Sequence, residues 1–143
     1  MYLKLRPYLK EFLKDMQDYY ELIVYTSADK DYADEIIDFI ESDRQYFAHR
    51  LYNSQCLIKE NLYVFKELDL LCYNRNLKNI LIVDNIVRNY SLDIKNGIPI
   101  LDYEGSTDDL ELVYLASYLR KLANEDNPQE AIRADLANFL SNL

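Results

Sequence analysis

The chain has 143 residues, half of them hydrophobic and 29% charged. That length points to a single domain of ~100–200 residues, and the composition excludes a disordered tail. Asp and Glu number 25 against 16 Lys and Arg, a formal charge of −9, so nucleic acid is not expected as a direct partner, although the net charge leaves room for a local basic patch. Two cysteines, Cys56 and Cys72, are too few for a disulfide scaffold or a four-ligand zinc site. Two glycines leave no GxGxxG or GxxxxGK loop, so any phosphate must be held by side chains, a metal or a helix end.

No apolar run approaches the ~20 residues of a membrane helix, and Lys4, Arg6, Lys10 and Glu11 break any signal-peptide pattern. The expectation is a protein without a membrane segment, in a reducing intracellular compartment, nuclear or cytoplasmic.

Pro7 suits a first helical turn. Leu9, Phe12, Leu13 and Met16 follow at helical spacing, which predicts an amphipathic helix over 7–19. Glu21 to Tyr25 is short, apolar and β-branched, as a buried parallel strand is. Thr26-Ser27-Ala28 ends it, and Ser27 or Asp29 can cap a helix running to about 42 whose apolar face is Tyr32, Ala33, Ile36, Ile37 and Ile40. From 46 to 65 the period shortens, and turns at Asn53-Ser54 and Lys59-Glu60-Asn61 predict a small antiparallel insertion of two or three strands. Glu67 to Cys72 makes a helical turn or two.

Ile80 to Val83 is the strongest buried strand, stopped by Asp84-Asn85. Gly97 to Ile100 is a short strand that Pro99 places toward an edge. Ser106 or Thr107, followed by Asp108 and Asp109, opens a helix, and Asn127-Pro128 begins the last one. This alternation predicts an α/β domain with a mostly parallel sheet, residues 1–143 forming one unit with the insertion at 46–65.

Ligands of such sheets bind outside the carboxyl ends of the strands. Two strands end there in polar residues, Thr26-Ser27 and Asp84-Asn85. Taken alone, the first pair also reads as a helix cap and the second as a turn. Lys66 alone reads as a surface lysine, and His49 as a polar hairpin residue. Cys56 and Cys72 read as small core residues, and Tyr32 as either core or an exposed shelf.

The order of the pieces carries more than each piece. RPYLKEFL at 6–13, YTSADKDYAD at 25–34, RLYNSQC at 50–56, YVFKEL at 63–68, IVDN at 82–85 and NGIPI at 96–100 follow one another. The series resembles the small phosphatases acting on the C-terminal tail of RNA polymerase II, the NLI-interacting-factor-like domains of the haloacid dehalogenase superfamily, from about residue 3 to residue 140. The resemblance implies a Rossmannoid parallel sheet with a small antiparallel insertion. It also implies a magnesium-dependent protein serine/threonine phosphatase passing through an aspartyl phosphate.

By position, the resemblance implies that Thr26 hydrogen-bonds the phosphoryl group, Lys66 neutralises the phosphate and the nucleophile, and Asp84 with Asn85 holds Mg²⁺. Tyr32 and Arg50 match residues of the substrate groove. These roles suit the chemistry, since Mg²⁺ takes carboxylates plus phosphate and water oxygens, and phosphoryl transfer needs positive charge and aimed donors.

One departure outweighs the rest. The family's nucleophile is the first Asp of a DxDxT motif on a strand preceding the RPxxxEF helix, and these 143 residues contain no DxDxT. That strand lies in the family sheet between the strands ending at Tyr25 and Val83. The expectation is an N-terminally shortened phosphatase-like domain that lacks its first central strand, holds Mg²⁺ weakly or not at all, and is inactive by itself. The alternative is a non-catalytic protein-binding module, as the fold is used in the import receptor of the mitochondrial inner membrane. The implied partners are a phosphorylated polypeptide or another protein, including one that donates a strand.

Overall fold

Residues 2–142 are described by the computed structural model. Helix α1, Leu9–Met16, starts beyond Tyr8, whose backbone is left-handed (φ 67°), and buries Leu13 and Met16. Strand β1, Ile23–Tyr25, leads into α2, Lys30–Ile40, where the Asp29 carboxylate accepts the Tyr32 N–H as N-cap. Strand β2, His49–Leu51, pairs parallel with β1, Val24 opposite Arg50.

Strands β3, Leu57–Lys59, and β4, Tyr63–Phe65, form an antiparallel hairpin. Its turn is built on Glu60 and Asn61, both with positive φ. Strands β5, Ile82–Asp84, and β6, Gly97–Pro99, form a second parallel pair. Helices α3, Glu111–Leu122, and α4, Pro128–Ser141, complete the chain. No helix among the described residues is long and apolar enough to cross a membrane.

Three expectations are corrected. The antiparallel insertion occupies 57–65, not all of 46–65, because residues 49–51 pair parallel with β1. The mostly parallel sheet is not one continuous sheet: the strand at 23–25 and the strand at 82–84 each belong to a separate two-stranded parallel pair. The helix placed after Ser106 begins only at Glu111, since Arg6 grips Asp109 through two hydrogen bonds of 2.9 and 3.0 Å and keeps 106–110 out of the helix.

The two parallel pairs nevertheless share one plane. One apolar cluster, centred on Met16, Ile98 and the α3 leucines, receives Leu22 from before β1 and Leu81 from before β5. A second cluster, of Leu68, Leu71, Ile80, Ile82 and Tyr90, receives Ile23 of β1. Successive residues of a strand point to opposite faces, so β1 and β5 divide the same two layers. Between them, among the described residues, lies no strand.

Candidate active site

Residues Tyr25, Lys66 and Asp84 line one end of a cavity of about 620 Å³ between β1 and β5; Glu21, Arg75 and Asn79 line the other. The two strands therefore run the same way along it, and their carboxyl ends meet at Lys66.

Asp84 ends β5 with its side chain only 4% exposed. Its Oδ2 receives the Lys66 ammonium at 2.6 Å and its Oδ1 the Ile86 N–H at 2.9 Å. Lys66 follows β4, and its backbone N–H donates to the Asn89 carbonyl at 2.6 Å. Asn89, buried, turns its Nδ2 to both Asp84 oxygens at 3.3 Å. The sequence reading missed Asn89; an asparagine in a stretch without clear periodicity gave no signal. It also missed the 3-10 segment Val87–Asn96 that carries it, whose regular turns break at Tyr90 and Asp93.

Thr26, half-buried, leaves β1 with its Oγ1 accepting the Ala28 N–H at 3.1 Å. Cys56 ties this corner to the other strand end. Its Sγ lies 3.7 Å from the Thr26 carbonyl, and its thiol pKa is pushed up by burial and the Asp84 charge against the opposing Lys66. Tyr25 is raised to about 12, mainly by burial, with the neighbouring Cys56 and Glu67 adding to it, so it stays a neutral donor, here to the Gln55 carbonyl at 2.7 Å.

Tyr32 is exposed near the start of α2, and Arg50 sits apart from Lys66 and Asp84. The Arg50 guanidinium meets Asp34 at 2.9 Å, Asp38 at 2.8 Å and Glu41 at 2.6 Å, three carboxylates of α2 and its end. Asn85 turns outward, its Nδ2 donating to Asp102 at 2.7 Å.

The donor set around Asp84 does not by itself fit a tightly held magnesium ion. That ion wants near-octahedral oxygen coordination, whereas both Asp84 oxygens are engaged and, among the described residues, no group of three or more His, Cys, Asp or Glu is placed to hold a metal ion. The chain's own residues offer one cation and one carboxylate, Lys66 and Asp84, in the lining of an apolar slot, with Thr26 joined to that corner through Cys56.

The family model described as NLI interacting factor-like phosphatase matches residues 1–129. The CTD small phosphatase-like protein 3 of Caenorhabditis elegans is 33% identical over 122 residues, which is 85% of this chain and 42% of that protein. The mitochondrial import inner membrane translocase subunit TIM50 of Candida glabrata is 29% identical over 120 residues, 84% of this chain and 24% of that protein. A fission-yeast RNA polymerase II CTD phosphatase, Fcp1, solved bound to beryllium fluoride, superposes with a TM-score of 0.58 at 20% identity. That match covers 97% of this chain and 40% of that one. The chain thus spans less than half the length of these relatives, and its fold is of the haloacid dehalogenase type.

Proposed function

The chain belongs to the NLI interacting factor-like phosphatase family, and on that premise we propose that its Thr26–Lys66–Asp84 corner is the phosphate-binding part of a phosphoprotein phosphatase centre that lacks its nucleophile. The observation that carries this reading is the Lys66 ammonium, 12% exposed, held at 2.6 Å from the carboxylate that ends β5. In the family's mechanism an Asp carboxylate attacks the phosphorus, the Ser or Thr oxygen leaves, and water hydrolyses the acyl phosphate. Here Lys66 and the Thr26 hydroxyl orient and neutralise a phosphoryl group, while no residue of the corner is free to attack it. Magnesium, which phosphatases of this superfamily generally use, would need oxygen ligands besides Asp84 to be held here, with Asn85 released from Asp102. Tyr32 and Arg50 would meet the polypeptide on the α2 side, outside the Lys66–Asp84 corner.

The partners in this reading are phosphorylated polypeptides or other proteins, one of them donating a strand to the divided sheet. The second reading, a non-catalytic protein-binding module, is supported by the relative named as an import translocase subunit.

Binding of tungstate, a phosphate mimic, tests the first reading. Lys66→Met and Thr26→Val should each weaken it, while hydrolysis of a phosphopeptide stays at background. Tungstate affinity indifferent to both substitutions would remove this corner as a phosphate site.

A further inference from the structure

The chain carries a net charge of −9, yet its hairpin gathers cations that no carboxylate neutralises among the described residues. Lys59 stands opposite Tyr63 and Leu57 opposite Phe65, so these four side chains share one face of the hairpin. The Lys59 ammonium lies 5.5 Å from the centre of the Phe65 ring. Arg88, from the segment Val87–Asn96 packed along β4, brings its guanidinium to 5.1 Å from the centre of the Tyr63 ring. Both cations are exposed. Arg6, Lys30 and Lys121 also lie over rings, but each is engaged by a carboxylate, of Asp109, Asp34 and Asp135. Lys59 and Arg88 enter no salt bridge among the described residues, and neither does Glu60, the acidic residue of the hairpin turn.

A ring attracts a cation without cancelling its charge, so both remain open to an anion. Their place is set by the Lys66–Asp84 corner, where the hairpin is rooted by both feet. Lys66 follows β4 directly, and Cys56, just before β3, has its Sγ 3.7 Å from the Thr26 carbonyl. Lys59 and Tyr63 each stand three residues from a foot, ~10 Å at the rise of a strand. Arg88 is anchored through its neighbour Asn89, whose carbonyl takes the Lys66 N–H. A polypeptide in the polyproline II form returns its side chains to one side every third residue, about 9 Å along. That step matches the distance from the corner to the two cations.

We propose that Arg88 and Lys59 form a second anion subsite, which takes a phosphoserine three residues from the phosphoserine held in the corner, so that the chain selects doubly phosphorylated segments. This rests on the functional reading of the Lys66–Asp84 corner and names its substrate class. A phosphoryl group carries about −1.5 to −2 charges at neutral pH, which suits two cations, and its oxygens suit the forked guanidinium. A carboxylate, with a single charge, would leave one cation unmatched.

The test measures the anisotropy of fluorescein-labelled alanine-based peptides with the 143-residue chain. They carry two phosphoserines three positions apart, either phosphoserine alone, two adjacent phosphoserines, or one phosphoserine with Glu in place of the second. The three-position peptide should bind ~10-fold more tightly than the others, the scale of one added charge-assisted hydrogen bond. Arg88→Gln and Lys59→Gln should each return it to the affinity of the singly phosphorylated forms, while Lys66→Met weakens every peptide. An equal gain from adjacent phosphates means general charge attraction, an equal gain from Glu removes the match to a dianion, and a gain that survives both glutamine variants places the anion elsewhere; each overturns the proposal. A gain lost in both glutamine variants but indifferent to Lys66→Met upholds the Arg88–Lys59 subsite and overturns only the corner reading. Absence of phosphate-dependent binding by any peptide overturns both.

Discussion

Asn89 holds Lys66 and Asp84 together from behind: its carbonyl takes the Lys66 backbone N–H at 2.6 Å while its side-chain amide reaches both Asp84 oxygens at 3.3 Å. One buried asparagine thereby fixes the spacing between the ends of β4 and β5. Asn89→Ala should lower unfolding stability by about 1–3 kcal/mol, because the bonds lost go to a charged acceptor. Urea titration reads this directly, and an unchanged midpoint would mean that the ion pair needs no such support.

The Lys66–Asp84 pair is largely buried, the side chains 12% and 4% exposed. Removing one partner of a buried pair strands the other charge and costs roughly 3–5 kcal/mol. Asp84→Ala should therefore be strongly destabilising, and Asp84→Ala with Lys66→Met less so than either single change suggests. Additive losses in a double-mutant cycle would contradict the coupling.

Gly97 begins β6 against the Tyr90 ring. A Cβ there would lie 2.0 Å from a ring carbon, and Tyr90 is itself buried in the second apolar cluster. Gly97→Ala should cost at least the ~1–3 kcal/mol typical of overpacking, measured as a lowered thermal midpoint. A neutral result would show that Tyr90 moves freely.

Acid stability follows from the carboxylates around α2. Lys10 and Tyr46 hold Asp43 down at about 2, and Lys30, Tyr52 and Arg50 hold Asp34 below its ordinary value. Against the upward pull of burial, the Phe47 and Tyr46 amides and Arg50 also lower Glu41. Groups with lowered folded pKa values contribute stability above their unfolded values, and it is lost as pH falls through the folded ones. Stability should thus decline between about pH 4 and about pH 2, and Arg50→Met should flatten that decline. An identical pH profile for Arg50→Met would dissociate Arg50 from the effect.

The sheet's apolar strands were legible in the sequence because Ile80–Val83 and Leu22–Tyr25 are nearly pure apolar runs. Strand β2 was not legible as a partner of β1. His49 and Arg50 are polar because they serve Glu21 and the α2 carboxylates, which masks the strand pattern. Residues 87–96 gave no helical period because they form 3-10 turns with two breaks. At the site, the order of short motifs singled out Lys66 and Asp84, which the structure brings together. The Asn89 support and the outward turn of Asn85 toward Asp102 depend on tertiary placement that no local pattern records.

The central claim is that the chain holds a phosphate-binding corner beside a sheet lacking its middle strand. The most direct measurement compares the 143-residue chain with the same chain fused at its N-terminus to an apolar strand ending in DxDxT, by thermal unfolding and by phosphopeptide hydrolysis with Mg²⁺. Each large apolar side chain buried contributes roughly 1.5–3 kcal/mol, and uncatalysed phosphate-monoester hydrolysis is slow enough that enzymes accelerate it by up to ~10²¹. The account predicts a fused form that melts at higher temperature and turns over with Mg²⁺, and a 143-residue form at background. Robust Mg²⁺-dependent turnover by the 143-residue form, abolished by Asp84→Ala, would contradict it.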